Sequence, residues 1–250
     1  MPDVLVTVLA QPGLIWIALA MSVAGLVRGF SGFGSAMIIV PVTSAFTSPV
    51  AAITILILSD LLGVIPSAPG AWRDIDRGDL MRLLVGALIS MPIGVWFLTS
   101  LDGDIFRWLV SVTVVLLLIA IIMGWRYRGR LTPPLVFGSG SVGGLMSGAF
   151  GIAGPPVIML YMASTLPAKV VRATLMLYLV GIDILMIGYF ASLGLLESVA
   201  VLTGLLMTVP YMTFNRIGAQ LFRVGSEAQF RWVAYVIIAI SAVVGLPVWS

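Results

Sequence analysis

The sequence contains no cysteine and no histidine. These absences exclude disulfide bonds, thiolate chemistry and imidazole metal ligands, and they remove the commonest general base of enzymes. Charged residues are also scarce, at 9% of 250 residues, whereas 60% are hydrophobic and the mean hydropathy is +1.17. Soluble chains carry about 25% charged residues. The composition therefore predicts an all-α polytopic membrane protein that is not an enzyme and binds no metal or cofactor.

A glycine-rich motif occurs twice, as GLVRGFSGFGS over 25–35 and as GLMSGAFGIAG over 144–154. Its glycines recur 119 positions later (144 − 25), and the pairs are Gly25 and Gly144, Gly29 and Gly148, and Gly32 and Gly151. Each copy interrupts an apolar run, so we expect a membrane helix to break there. The repetition predicts two related halves. Backbone exposed by such a break usually lines a site.

The apolar segments predict the same helix order in both halves. A pair of half-helices flanks each motif, over 14–27 and 35–46 in the first half and over 135–147 and 154–165 in the second. Three full-length spans follow each pair, over 50–65, 80–100 and 105–123, and then over 170–189, 195–214 and 230–249. Segment 66–79, with prolines and charged residues, is expected to be a solvated connection.

Landmarks outside the motif support the same division. Pro49 pairs with Pro167 and Pro92 with Pro210, each at an offset of 118 (167 − 49, 210 − 92), while the triplet Phe-Arg-Trp at 106–108 recurs at 230–232. The sequence thus predicts a first membrane repeat over 1–124, a basic cytoplasmic linker over 125–134 and a second membrane repeat over 135–250.

Lysine and arginine predict the orientation, because they remain cytoplasmic in short loops. If the linker residues Arg126, Arg128 and Arg130 are inside and each half-helix pair crosses an even number of times, all basic residues except Arg28 and Arg107 are cytoplasmic. Each half then crosses an odd number of times. An odd repeat predicts two inverted repeats, related by a pseudo-two-fold axis in the membrane plane, with both termini outside the cytoplasm.

The beginnings of segments 35–46 and 154–165 suggest an anion site. Ser31 and Ser35 are available to cap the first, and Pro155 lies just inside the second. Unpaired backbone N–H groups and the positive ends of two helix dipoles would attract an anion there. The alternative is that the glycines only allow helices to pack closely, as small residues do in membranes.

Three charged residues within the apolar segments are candidates for a transport function. Arg28 lies in the first motif, where it either binds an anion or offsets a helix dipole. Asp60 and Asp183 lie in the first full span of each half. They either carry protons for coupling or serve as ion partners and helix caps.

The doubled motif resembles the hallmark of the sulfite exporter TauE/SafE family, here as GLVRGFSGFGSAMIIVP and GLMSGAFGIAGPPVIML. The resemblance covers nearly the whole chain. It implies a bacterial inner-membrane secondary transporter that exports small sulfur-containing anions such as sulfite, sulfonates or sulfoacetate by alternating access. Where family members often have consecutive glycines, this chain has Gly34-Ser35-Ala36 and Ala153-Gly154-Pro155, so we expect a differently shaped pocket. The expected substrate-binding residues are Arg28, Gly29, Ser31, Gly32, Gly34, Ser35, Gly148, Gly151, Ala153, Gly154 and Pro155.

Other functions remain alternatives. The sequence Gly29-Phe30-Ser31-Gly32 fits the G-x-S-G of rhomboid-like proteases, but their serine needs a histidine base, which this chain lacks. A passive anion channel and a non-transporting membrane scaffold stay open. The expected partners are the lipid bilayer, a small anion and possible coupling protons, with no nucleic acid. Both a monomer and a homodimer are compatible with the sequence.

Overall fold

The computed structural model describes residues 2–64, 68–124, 131–161, 164, 166–221 and 227–248. Within these ranges the regular structure is entirely helical, without a β-strand, which confirms the predicted fold class. The helices of the first half are α1 Pro2–Leu9, α2 Leu14–Ser31, α3 Ser35–Thr43, α4 Pro49–Val64, α5 Ala68–Ala71, α6 Arg77–Ser100 and α7 Gly103–Ile122. Those of the second half are α8 Pro133–Phe150, α9 Gly154–Tyr161, α10 Ala168–Ser192, α11 Ser198–Leu221 and α12 Glu227–Val244. The linker residues Arg126, Arg128 and Arg130 lie outside the described residues.

Several helices have the length and composition of membrane spans. In the part of the chain that the structure describes, five qualify fully, and they are Leu14–Ser31, Arg77–Ser100, Gly103–Ile122, Lys169–Ser192 and Ser198–Leu221. Pro49–Val64 and Trp232–Gly245 are shorter apolar helices. A helix of about 20 apolar residues crosses the hydrocarbon core of a bilayer. The chain is therefore a multi-pass membrane protein.

In each helix pair around a motif, the two members differ more in length than the sequence predicts. Their second members are short, with 9 residues in α3 and 8 in α9, as expected. Their first members, α2 and α8, each have 18 residues and extend beyond the predicted ends at 27 and 147. Helix α2 continues through the charged Arg28 and ends at Gly32, where the backbone becomes left-handed. The end of an apolar run was thus a poor marker of the helix end.

Packing divides the chain into two compact units. The first comprises Met1–Ser59, Leu101–Ile119 and Gly194–Ser250, and the second comprises Asp60–Ser100 and Ala120–Leu193. Each unit takes segments from both sequence halves. The repeat boundaries at 1–124 and 135–250 concern sequence similarity and stay a prediction.

In the first unit, α2 and α11 approach so closely that glycines face backbone. A Cβ atom added to any of three glycines would overlap a carbonyl oxygen of the other helix, and the pairs are Gly25 with Tyr211, Gly29 with Asn215 and Gly218 with Leu26. Small residues permit this approach in membrane helices, where dispersion contacts replace the hydrophobic effect as the driving force. The motif glycines therefore build the scaffold that carries the first helix break.

The second unit repeats this contact between α8 and α6. Its pairs are Gly144 with Ala87, Gly148 with Met91 and Gly94 with Leu145. In these contact pairs, each α8 residue follows the corresponding α2 residue by 119 positions (148 − 29). Each α11 residue follows the corresponding α6 residue by 124 (215 − 91). The pairing of Pro92 with Pro210 at 118 was therefore wrong by six positions. Proline placement tolerates shifts along a helix, whereas close backbone contact fixes the glycine positions.

Candidate functional site

The first helix break lies between α2 and α3 and depends on two glycines with positive φ. Gly32 has φ 78° and donates its N–H to the Arg28 carbonyl oxygen at 2.7 Å, which closes α2. Gly34 has φ 94° and precedes the first residue of α3. L-residues with a side chain are strained in this region, whereas glycine is not. The predicted break is confirmed, and its backbone geometry requires glycine at both positions.

Arg28 and Ser35 meet across this break. Arg28 Nη1 donates a hydrogen bond to Ser35 Oγ at 3.1 Å, and the two residues are 9% and 2% exposed. Arg28 lies in the last turn of α2 and Ser35 is the first residue of α3. The structure thus brings together two of the predicted anion-binding residues and places a buried positive charge beside the beginning of α3. Both features favour an anion.

Ser31 makes its hydrogen bonds within its own turn and does not cap α3, whereas anion binding by its hydroxyl stays a prediction. Its Oγ lies 2.7 Å from the Val27 carbonyl oxygen and 2.6 Å from that of Phe33, and it accepts the Phe33 N–H at 3.3 Å. These contacts hold the end of α2 and the connecting turn. In the described part of the chain, no side chain forms a capping hydrogen bond at the start of α3, where Gly34 is the N-cap residue. The expectation that serine caps α3 was wrong, because the serine hydroxyl finds nearer partners within its own turn.

The second break, between α8 and α9, closes in a related way. Gly151 has φ 72° and donates its N–H to the Ser147 carbonyl oxygen at 2.8 Å, while the Ile152 N–H reaches the Met146 carbonyl oxygen at 3.3 Å. Paired bonds of this kind end helices at a left-handed glycine. Because Gly32 and Gly151 correspond in the sequence repeat, the conformational role of this glycine is the same in both copies.

The two breaks differ in charge and in backbone donors. Ser147, at the position equivalent to Arg28, is 2% exposed and neutral. Helix α9 begins Gly154-Pro155-Pro156, so Pro155 lies just inside the helix as predicted. Two consecutive prolines remove two of the N–H groups that a helix normally leaves unpaired at its beginning. The second break therefore offers fewer backbone donors to an anion than the first.

Gly29 and Gly148 were predicted as substrate-binding residues and are found at helix contacts. Gly29 faces the Asn215 backbone, and a Cβ at Gly148 would lie 2.5 Å from the Met91 carbonyl oxygen. Close helix packing, the alternative reading of the motif, accounts for these two positions. An additional contact with a bound anion stays a prediction for them, as it does for Gly34, Ala153 and Gly154.

The candidate coupling residues Asp60 on α4 and Asp183 on α10 are both buried, with 6% and 8% exposure. Carboxylates at membrane depth are expensive and are usually kept for a function. In the described residues, no group of three or more acidic, histidine or cysteine side chains lies together to hold a metal ion. Proton coupling through these two residues stays a prediction.

Arg107, the other basic residue that the orientation rule left unexplained, caps α12. Its Nε donates to the Gly245 carbonyl oxygen at 3.1 Å and its Nη2 to the Leu246 carbonyl oxygen at 3.0 Å. The residue is 7% exposed and pairs with Asp104 at 3.7 Å. Carbonyl groups at a helix C-terminus lack partners within the helix, and a cation there also offsets the dipole. Arg107 is therefore structural.

Sequence reasoning missed a buried polar cluster in the second unit. Asp79, expected in a solvated connection, is 8% exposed within α6. Its Oδ2 accepts the hydroxyl of Tyr161, the last residue of α9, at 2.8 Å, and its Oδ1 accepts Arg82 Nη1 at 2.9 Å. Tyr161 is 82 positions away. The sequence showed only that Arg82 follows Asp79 by three residues. It could not show that Tyr161 of α9 is also a partner of Asp79.

Comparisons with known proteins place the chain among transporters. Residues 17–244 match the family model described as sulfite exporter TauE/SafE. The chain is similar to a protein of Cupriavidus necator named probable sulfite/organosulfonate exporter TauE, with 30% identity over 233 residues that cover 88% of this chain and 89% of the relative. No solved structure matches the chain significantly. The matched family consists of transporters, not enzymes.

Proposed function

Because the chain belongs to the sulfite exporter TauE/SafE family, we propose that it is a secondary transporter that exports small sulfur-containing anions across the bacterial inner membrane. The printed name of the Cupriavidus necator relative supports sulfite and organosulfonates as the substrate class. The proposed mechanism is alternating access, in which the anion binds at a glycine-rich helix break and the surrounding helices change its accessibility.

The observation that carries the proposal is the buried bond between Arg28 and Ser35 across the first break. A charged side chain at membrane depth destabilises insertion by about 2.5 to 3.5 kcal/mol, so it is usually retained for a task. Arg107 has an evident structural task at the end of α12. Arg28 lies beside the beginning of the short helix α3, where its guanidinium can donate hydrogen bonds to the oxygens of a sulfite or sulfonate group.

We further propose the inverted arrangement of the two repeats, with both termini outside the cytoplasm. The distribution of lysine and arginine supports the inversion, and the recurrence of the same glycine contacts at constant offsets supports the repeat itself. Coupling to protons through Asp60 and Asp183 belongs to the same proposal and rests on their burial within apolar helices.

A ligand screen of the purified protein tests the substrate class. Sulfite, sulfate, thiosulfate, sulfoacetate and simple carboxylates would be compared by the rise in melting temperature that each produces, since a ligand of the folded state stabilises it. We expect sulfite or an organosulfonate to give the largest rise. A protein that responds to none of these anions, in a folded state, would contradict the proposed binding function and favour a scaffold.

A further inference from the structure

The hydroxyl group of Tyr178 on α10 is buried without a hydrogen-bond partner among the described residues. The residue is 0% exposed, and it is among the largest fully buried side chains. Buried polar groups in folded proteins are nearly always paired, because burial removes their hydrogen bonds to water and only an internal partner replaces them. An exception of this kind calls for an explanation, and a role in binding a polar ligand is one.

The position of the phenol suggests where that ligand binds. A Cβ atom added to Gly143 on α8 would overlap the Tyr178 hydroxyl and would lie 3.0 Å from the Ala153 carbonyl oxygen. Ala153 immediately precedes Gly154, the first residue of α9. The hydroxyl therefore reaches the second helix break at the beginning of α9. Gly143 leaves the space that the phenol occupies.

The chemistry of the second break calls for a donor of this type. The positive end of the α9 dipole favours an anion, but Pro155 and Pro156 contribute no N–H group to bind one. Ser147 replaces the arginine of the first break. A phenol is protonated at neutral pH and can donate one hydrogen bond. Tyr178 thus supplies a side-chain donor where backbone donors are few.

The sequence repeat supplies an independent argument. Alignment of α4 with α10 on Pro49 and Pro167 also pairs Gly63 with Gly181, both at 118 (167 − 49, 181 − 63). The same offset places Asp60 at the position of Tyr178 (178 − 60). Both residues are buried and polar within apolar helices. This helix position therefore carries an ionisable group in each half, an acid in the half with Arg28 and a phenol in the half without it.

We propose that the Tyr178 hydroxyl, which fits in the space left by Gly143, donates a hydrogen bond to an oxygen atom of the transported oxyanion at the second helix break. This role rests on the proposed function and adds a specificity-determining residue to it. A neutral donor of this kind selects ligands with an accessible oxygen acceptor, such as sulfite, a sulfonate or a carboxylate.

The variant Tyr178→Phe tests the proposal, because it removes one oxygen atom and nearly preserves the shape of the side chain. Without an anion, we expect its melting temperature to equal or exceed that of the wild type, since the oxygen has no hydrogen-bond partner to lose among the described residues. The affinity for sulfite, measured by calorimetry, should fall about tenfold, the effect of losing a hydrogen bond to an anion. A lower melting temperature would indicate an internal partner and would overturn the proposal.

Matched variants separate binding from packing. Tyr161→Phe removes a hydroxyl that is bonded to Asp79, so it should lower the melting temperature and leave sulfite affinity unchanged. Gly143→Ala should displace the phenol and weaken binding, whereas Gly138→Ala on the same helix meets no atom within 4 Å and should not.

The proposed role of Tyr178 and the proposed transport function can be refuted separately. If the wild type binds sulfite and Tyr178→Phe binds it equally well, the role of Tyr178 is refuted while the proposed function stands. If the wild type binds none of the anions tested, both are refuted.

Discussion

Arg28 Nη1 lies 3.1 Å from Ser35 Oγ, so a buried guanidinium joins the end of one helix to the beginning of the next. The connecting turn needs Gly32 and Gly34 at positive φ. The position equivalent to Arg28 in the second motif is occupied by Ser147. The repeated motif thus provides two breaks with similar backbone geometry and different charge.

Replacing Arg28 by glutamine should weaken anion binding strongly. Glutamine is shorter than arginine, so the variant loses the positive charge together with the hydrogen bond from Nη1 to Ser35. We expect a loss of about 1.5 to 3 kcal/mol in the binding free energy of sulfite, the range for hydrogen bonds to charged groups. Calorimetric titration of the purified variant measures it. Unchanged affinity in a folded protein would remove Arg28 from the site.

The other buried arginine provides the matched control. Arg107→Gln removes donors to the carbonyl oxygens of Gly245 and Leu246, so it should lower the melting temperature. Sulfite affinity should be retained, because this residue caps a helix. Ser147→Ala should likewise have little effect on affinity. If Arg107→Gln weakened binding as much as Arg28→Gln, a general effect of buried charge would explain both.

Alanine at Gly29 or Gly148 should destabilise the protein. Each added methyl group would press on the backbone of a neighbouring helix, and overpacking of this kind costs about 1 to 3 kcal/mol. Gly188→Ala on α10 is the control, since no atom lies within 4 Å of its added Cβ. Thermal unfolding in detergent compares the three variants. Equal melting temperatures for Gly29→Ala and Gly188→Ala would show that the contact of α2 with α11 is looser than described.

The sequence predicted the features that depend on local chemistry. Glycine spacing located both breaks, and hydropathy located the long helices, although α11 extends seven residues beyond its predicted end (221 − 214) and α1 was not predicted. Helix ends were less predictable. The charge of Arg28 suggested the end of the apolar helix, but Arg28 lies within α2 because Ser35 of α3 accepts a hydrogen bond from its guanidinium. Composition cannot reveal such a partner.

Features that depend on distant contacts could not be predicted. Asp79 appears as one of several loop charges until Tyr161 is placed beside it. Tyr178 resembles any aromatic residue of an apolar helix until the positions of Gly143 and Ala153 are known. The division into two units that mix both halves is likewise a property of packing.

The proposed orientation can be tested by cysteine labelling, because the natural chain has no cysteine. Single cysteines at Ser100 and at Arg128, which lies in the undescribed linker, would be exposed to a membrane-impermeant reagent in intact cells. The orientation from basic residues predicts labelling at position 100 and protection at position 128. The reverse pattern would invert the topology.

Asparagine in place of Asp60 or Asp183 should alter the pH dependence of transport. An amide cannot take up and release a proton, so a coupled transporter should lose the dependence of flux on an imposed proton gradient. Flux would be measured over a range of pH for each variant and for the wild type. If both variants retain the wild-type profile, the two carboxylates are structural.

Flux of sulfite and sulfoacetate through the purified protein in liposomes tests the central claim most directly. The account predicts transport that saturates with anion concentration, follows an imposed gradient and slows in Arg28→Gln. Arg107→Gln vesicles with an equal amount of folded protein should keep the wild-type rate. Flux equal to that of empty liposomes would contradict a transport function, and flux that rises without saturation would indicate a channel instead of a carrier.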